Sequence, residues 1–200
     1  MGKRGSYAKS EARRDSILRT ALEVIDTEGY AAASVTRIAE AAGLSKTGVL
    51  HHFETKEKLL TEVLRLRDEL DESGFADPTA SLGDLEAAYL KVVERNARIP
   101  GMVELFTRLS VEATDPDHPA HDFFLRREAD IGRRIAETVE RHLDERHRGA
   151  VEPDAVALLL LAATDGLQMR WLLDPEIDMT AALATLFRIF DAVLDGPPQD

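Results

Sequence analysis

Three observations predict an all-α fold. No stretch shows the period-2 alternation of apolar and polar residues that marks a half-buried strand. Apolar residues recur instead at spacings of three and four along the whole chain. Turn-forming clusters, such as Gly43-Leu44-Ser45, Asp115-Pro116 and Asp174-Pro175, punctuate these periodic stretches.

The elements follow in order. Ile17, Leu18, Ala21, Leu22 and Ile25 share one face of a helix over about Ser10–Thr27, which Glu28-Gly29-Tyr30 ends. A second helix runs from Ser34 to Ala42, with Ser34 as N-cap and Gly43 just past its end. Ser45 caps a third that reaches Phe53, and a fourth runs from near Thr55 to about Ser73. Gly74 to Pro78 breaks the pattern and marks a module boundary, so the division expected is residues 1–73 and 78–200. Five longer helices then follow: Leu82–Arg98, Met102–Thr114, Ala120–Arg148, one from Pro153 through Leu172, and Thr180–Leu194.

Composition bounds what such a chain does. Two hundred residues with 44% hydrophobic and 31% charged side chains can bury a core and are not disordered by composition. The absence of cysteine excludes disulfides, Cys-zinc sites, iron–sulfur clusters and a thiol nucleophile. The longest apolar run, Ala155–Ala163, is short and Asp165 follows it, so no membrane span is expected. Met1-Gly2-Lys3-Arg4 lacks the apolar stretch of a secretory leader, and a cytoplasmic location is expected. The net charge of −12 is unevenly spread. Residues 1–67 carry twelve Lys and Arg against nine Asp and Glu, while residues 68–200 carry thirteen against twenty-eight. A basic first segment before an acidic remainder points to a polyanionic partner for the first alone.

The informative stretch is Thr36–Lys56, TRIAEAAGLSKTGVLHHFETK. A helix-turn-helix needs a small residue where its helices cross, supplied by Ala39, and a turn residue that takes positive φ, supplied by Gly43. Ile38, Ala42, Leu44, Val49 and Phe53 have the spacing to anchor both helices to one core. Ser45, Lys46, Thr47, Gly48, His51 and His52 then form a polar outward face.

With these residues the sequence resembles the N-terminal domain of TetR-type transcriptional repressors. The matching positions are Ile17-Leu18, Ala21-Leu22, Gly29-Tyr30, Ser34-Val35-Thr36, Ile38 through Lys46, Leu50 through Phe53, and Lys56 through Leu60. Leu50 stands where a tyrosine with a phosphate-reaching hydroxyl is common, and Thr47-Gly48 reverses the commoner Gly-Thr order. The resemblance implies a homodimer on a palindromic operator in double-stranded DNA, a C-terminal body that binds a small-molecule effector, and dimerisation through the last two helices.

The residues suit that task. The third helix would enter the major groove, with Lys46 donating to guanine O6 and N7 and Thr47 meeting a base edge or a thymine methyl. Gly48 allows close approach, and His51 and His52 reach phosphates, His52 having inward packing as its alternative. Thr36 and Arg37 open the second helix and Lys56 the fourth, where N–H groups and the helix dipole favour phosphate. Lys3, Arg4 and Lys9 form an arm for the backbone or minor groove.

In the C-terminal body the effector pocket is expected from Met102, Phe106, Leu109, Phe123, Phe124, Leu167, Met169 and Trp171, the alternative for each being plain core. Asp165, a carboxylate in an apolar helix and a further member of the pocket set, needs a partner: Arg170 or Arg126, a neighbour capped at the dimer seam, or a polar group of the ligand. Leu159, Leu160 and Ala163, with Leu183, Leu186, Phe187 and Phe190, form the expected four-helix interface of a two-fold dimer. Asp115, Asp117, His118, His121 and Asp122 read as a polar loop between Pro116 and Pro119 rather than a metal site. His142 and His147 lack the zinc-protease spacing, and no cofactor is expected. No nucleophile–base pair, phosphate loop or paired catalytic carboxylates is present, which argues against an enzyme. The expectation is a ligand-responsive homodimeric repressor, with a ligand-independent architectural or nucleoid factor of the same fold as the alternative.

Overall fold

The computed structural model describes residues 3–71, 81–143 and 151–195. Among these the chain forms nine α-helices and one 3-10 turn: α1 Lys3–Glu28, the turn Tyr30–Ala32, α2 Val35–Ala41, α3 Lys46–Phe53, α4 Lys56–Asp71, α5 Leu82–Asn96, α6 Pro100–Glu112, α7 His121–His142, α8 Pro153–Leu173 and α9 Met179–Asp195. No strand occurs among the described residues.

The helix starts follow from their caps. The Ser34 side chain accepts the Arg37 N–H at 3.1 Å, and that of Ser45 accepts the Gly48 N–H at 3.0 Å. Ser81 and Asp84 cap one another reciprocally at the start of α5. Gly43 takes φ 65° in the turn between α2 and α3. Helix α1 begins earlier than its apolar face suggested. Lys3, Arg4 and Lys9 therefore lie on a helix instead of an extended arm, because hydrogen bonding propagates past the last apolar position. The break at 74–78 and the residues at 144–148 lie outside the described residues.

The chain divides into two compact units that do not follow sequence order. The first runs to Asp71 and resumes over Ile99–Phe123; the second takes α5 and the chain from Phe124 onward. In the first unit Ile17 and Ile25 of α1, Ile38 of α2, Val49 and Phe53 of α3, Leu59 and Leu60 of α4, and Leu105 and Leu109 of α6 are almost wholly buried. Helix α6 thus completes the core of the unit that carries the helix-turn-helix. Its docking depends on Gly101, where a Cβ would lie 2.5 Å from the Ile25 carbonyl oxygen and 2.9 Å from the Gly29 Cα.

In the second unit α5 packs on α9 and α8 also packs on α9. The Tyr89 and Phe187 rings lie 5.9 Å apart, and Leu160, Leu183 and Ile135 are buried. Helix α8 is long and apolar enough, at mean hydropathy 1.4, to cross a membrane by length and composition alone. Leu167 to Leu173 extends the apolar composition of Ala155–Ala163 beyond Asp165. A helix apolar on every side is equally the composition of one packed against several neighbours.

Gly101→Ala is expected to lower stability by about 1–3 kcal/mol, since backbone atoms obstruct the new methyl. Gly83→Ala is the control: only the Ser81 hydroxyl lies near its Cβ, at 3.7 Å. Urea midpoints of the two variants check this; equal midpoints would contradict the docking described.

Candidate nucleic-acid interface

Helix α3 has two faces. Val49 and Phe53 are buried in the first unit, while Lys46, Thr47 and His51 are exposed and Gly48, Leu50 and His52 are half-buried. The buried pair fixes which edge points outward. Ser45 is exposed but already engaged as the cap of α3, so its hydroxyl serves the helix before any partner.

Neighbouring cations are less free than their positions suggest. Arg37 makes a two-pronged contact with Glu28 at the end of α1: Nε donates at 2.9 Å and Nη2 reaches the other carboxylate oxygen. Arg37 in turn holds the Glu28 carboxyl below the usual carboxylate range. Lys56 is half-buried with its Nζ 5.5 Å from the centre of the Tyr30 ring, which also receives Arg108 at 5.4 Å. Thr36 is exposed with no such restraint. The sequence missed Glu28; its signal is a carboxylate at the C-terminus of α1, close in sequence to a cation at the start of α2.

The far end of α3 closes through an uncommon turn. Glu54 takes φ 65° and ψ −56°, and the Thr55 N–H donates to the Phe53 carbonyl at 2.7 Å. This is the positive-φ γ-turn, which is strained for a residue with a side chain. His52 precedes it, with its carbonyl accepting Arg14 Nη1 at 2.6 Å. Burial, then the nearby His51, Arg14 and Arg13, hold the His52 imidazole below the ordinary histidine value.

The residues expected to line an effector pocket separate. Met102, Phe106, Leu109 and Phe123 belong to the first unit, where Met102, Leu109 and Phe123 are core. Phe124, Asp165, Leu167, Met169 and Trp171 belong to the second. Trp171 and Phe124 are buried, Leu167 is half-buried, and Met169 is 50% exposed. By accessible surface Asp165 is exposed in the single chain. Enough protein nevertheless surrounds its carboxyl that burial pushes its pKa up to about 6, opposed by Arg127 and reinforced by Glu128. The acting cation is Arg127, in place of the expected Arg126 or Arg170, a difference decided by the phase of α7.

The expected interface set also changes. Leu160, Leu183 and Phe187 are committed to the unit's own core. Leu159 is exposed, and Ala163, Leu186 and Phe190 are half-buried. The outward apolar residues are Leu158 (67% exposed), Leu159 (59%), Met169 and Leu173 (83%) on α8, with Ile189 and Val193 on α9. At the α6–α7 junction His121 Nδ1 lies 2.8 Å from the Ala113 carbonyl and His118 Nδ1 accepts the Ala120 N–H at 3.2 Å, so both rings tie the loop together. No group of three or more metal-ligating side chains occurs among the described residues, those at Asp115, His118 and His121 included.

This geometry is that of a helix-turn-helix presented by a helical body, and comparison with known proteins agrees. The family model described as "Bacterial regulatory proteins, tetR family" matches residues 17–63. The transcriptional regulator EthR of Mycolicibacterium smegmatis is 28% identical over 184 residues, covering 92% of this chain and 80% of that protein. The transcriptional repressor KstR2 of Rhodococcus jostii is 32% identical over 108 residues, 54% of this chain, and the match spans less than half (46%) of that relative's length. A transcriptional regulator from a Rhodococcus species superposes with a TM-score of 0.70 at 22% identity, covering 92% and 99% of the two chains. Thermus thermophilus FadR, a repressor solved in complex with lauroyl-CoA, gives 0.62 at 21%, covering 94% and 98%. The structural likenesses show the fold. The resemblance to the family model is carried by residues 17–63, the stretch that holds the helix-turn-helix.

His52 is expected to titrate below the ~6.5 of an unperturbed histidine. Because the folded state disfavours the charged ring, the stability tied to it is intact above about pH 6.5 and is lost as pH falls through the folded value. NMR titration of the six histidines, with His52→Gln to assign the signal, checks the direction; a His52 value above 6.5 would contradict it.

Proposed function

We propose that this chain is a DNA-binding transcriptional repressor that acts as a two-fold homodimer on a palindromic operator and is released by a small-molecule effector. The observation that carries this reading is the exposed edge Lys46-Thr47-His51 on a helix whose opposite face is anchored in a core. Lys46 reads a base edge, Thr47 a neighbouring edge or methyl, and His51 a phosphate. Thr36 joins them directly, whereas Arg37 and Lys56 reach phosphate only by leaving Glu28 and Tyr30. The first segment serves DNA, with α6 bracing its core, and the rest of the part beyond residue 78 serves dimerisation and the effector.

The dimer reading is supported by the outward apolar residues of α8 and α9. Leu158, Met169 and Leu173 lie on one face of α8, and Ile189 and Val193 on one face of α9. Burying such a face against a second copy removes apolar area from water at roughly 25 cal/mol per Å2. The same burial accounts for α8 as a packed helix and favours a cytoplasmic protein over a membrane one. The effector reading is supported by the lauroyl-CoA found in one structural neighbour. It is also supported by Asp165, whose carboxyl pKa is held up to about 6 by burial on the apolar helix α8. An effector acts only by favouring one spacing of the two α3 helices over another.

The test of function is selection from random-sequence duplexes at stated salt, followed by binding of Lys46→Ala to the selected duplex. A few related palindromic sequences are expected, with the variant about tenfold or more weaker and its salt slope smaller by about one. Uniform retention of all duplexes would favour the architectural factor. Separately, Leu158→Glu combined with Ile189→Glu is expected to give a folded monomer by light scattering at micromolar concentration. A dimer surviving that pair would move the interface elsewhere.

A further inference from the structure

The C-terminal end of α3 is held by a side chain from the first helix. Arg14, half-exposed on α1, donates Nη1 to the His52 carbonyl at 2.6 Å. Its guanidinium carbon lies 4.4 Å from the centre of the Phe53 ring, and its Nη2 lies 3.3 Å from Glu62 of α4. Glu62 also accepts Arg65 of the same helix. One cation therefore joins three helices across a separation of 38 residues.

Each contact has a physical reason. The last carbonyls of a helix lack internal partners, and a cation there meets both an unsatisfied acceptor and the negative end of the dipole. A charged donor to such an oxygen is stronger than a neutral one, and a planar guanidinium can stack on an aromatic ring while it donates in its own plane. The next residue but one, Glu54, sits in a strained positive-φ turn, and strained backbone persists only where its surroundings over-determine it. Arg14 supplies that restraint at the point where α3 would otherwise swing on Phe53.

Arg14 is also poorly placed as a phosphate ligand. The groove of about 400 Å3 beside it is lined by four carboxylates, Glu11, Asp15, Glu62 and Glu69, with Arg65 as the other cation. That surface repels a polyanion, so the contribution of Arg14 runs through α3.

We propose that Arg14 is a positioning residue for sequence discrimination: by capping His52, stacking on Phe53 and pairing with Glu62, it sets the angle at which Lys46 and Thr47 are presented. The proposal rests on the DNA-binding reading above. Without Arg14, α3 still offers its positive charge to any duplex but no longer in one orientation, so specific binding falls and non-specific binding does not.

The experiment compares wild type, Arg14→Gln, Arg14→Lys and Glu62→Gln on a duplex selected by the wild-type protein and on a scrambled duplex of equal length, across a salt series. Amide hydrogen exchange of the free proteins is measured alongside. Arg14→Gln is expected to bind the selected duplex about tenfold more weakly, the size of one charged hydrogen bond, with the scrambled duplex within about twofold and the salt slope unchanged. Amides over residues 50–54 should exchange faster while those of α1 do not. Arg14→Lys, which reaches one acceptor without the stack, and Glu62→Gln, which leaves the Arg14 charge in place and loses one anchor, should show smaller losses of discrimination. A salt slope lower by about one on both duplexes would make Arg14 a phosphate contact and overturn the proposal. Unchanged discrimination and exchange would also overturn it. Should Arg14→Gln not fold, Glu62→Gln decides in the same way. Failure of the wild type to select any duplex would count against DNA reading as a whole, and exchange in the free proteins would still decide whether Arg14 holds α3.

Discussion

An eight-residue helix cannot keep its shape in water by its own hydrogen bonds, since nucleation costs more than so few bonds return. Every property of α3 that matters for recognition is therefore imposed from behind. Val49 and Phe53 plug into a core built from α1, α2, α4 and α6, Ser45 satisfies its first turn, and Arg14 satisfies its last. The polar edge points outward because the apolar edge has only one place to go. The arrangement also explains why α6 belongs with α1 and α4, which precede α5 in the chain. Gly101 lets its first turn touch the backbone at Ile25 and Gly29, so α6 is built into the core that holds α3.

The cations around α3 divide by environment more than by sequence position. Lys46 makes no ion pair among the described residues, whereas Arg37 and Lys56 are engaged with Glu28 and Tyr30. Exposed pairs of this kind are weak and salt-screened, so a phosphate can compete for either side chain. In the proposed reading, recognition is therefore graded: Lys46 is exposed, while Arg37 and Lys56 must exchange one partner for another. On the other unit the surplus of apolar surface on α8 and α9 sets the opposite requirement. Those helices leave Leu158, Leu159, Met169, Leu173, Ile189 and Val193 exposed in the single chain.

Local chemistry was legible in the sequence and phase was not. Ser34, Ser45 and Gly43 were readable because a cap or a positive-φ turn depends on a residue and its immediate neighbours. The helices and the helix-turn-helix followed from spacing alone. Leu160, Leu183 and Phe187 are buried within the unit, and on α8, apolar all round, the sequence gives no signal of which stripe faces inward. Asp165 was recognised as needing a cation, yet Arg127 and Arg126 differ only by the rotation of α7. Arg14 left no local trace, because its partners lie 38 and 48 residues away and only folding brings them together.

The central claim, that two copies of α3 read two half-sites in the major groove, is tested most directly by methylation interference at guanine N7 on the duplex that the protein selects. The account predicts two symmetric clusters of interfering guanines about one helical turn or more apart, because N7 faces the major groove and the dimer axis doubles the contact. A single cluster, or binding indifferent to N7 methylation, would contradict it.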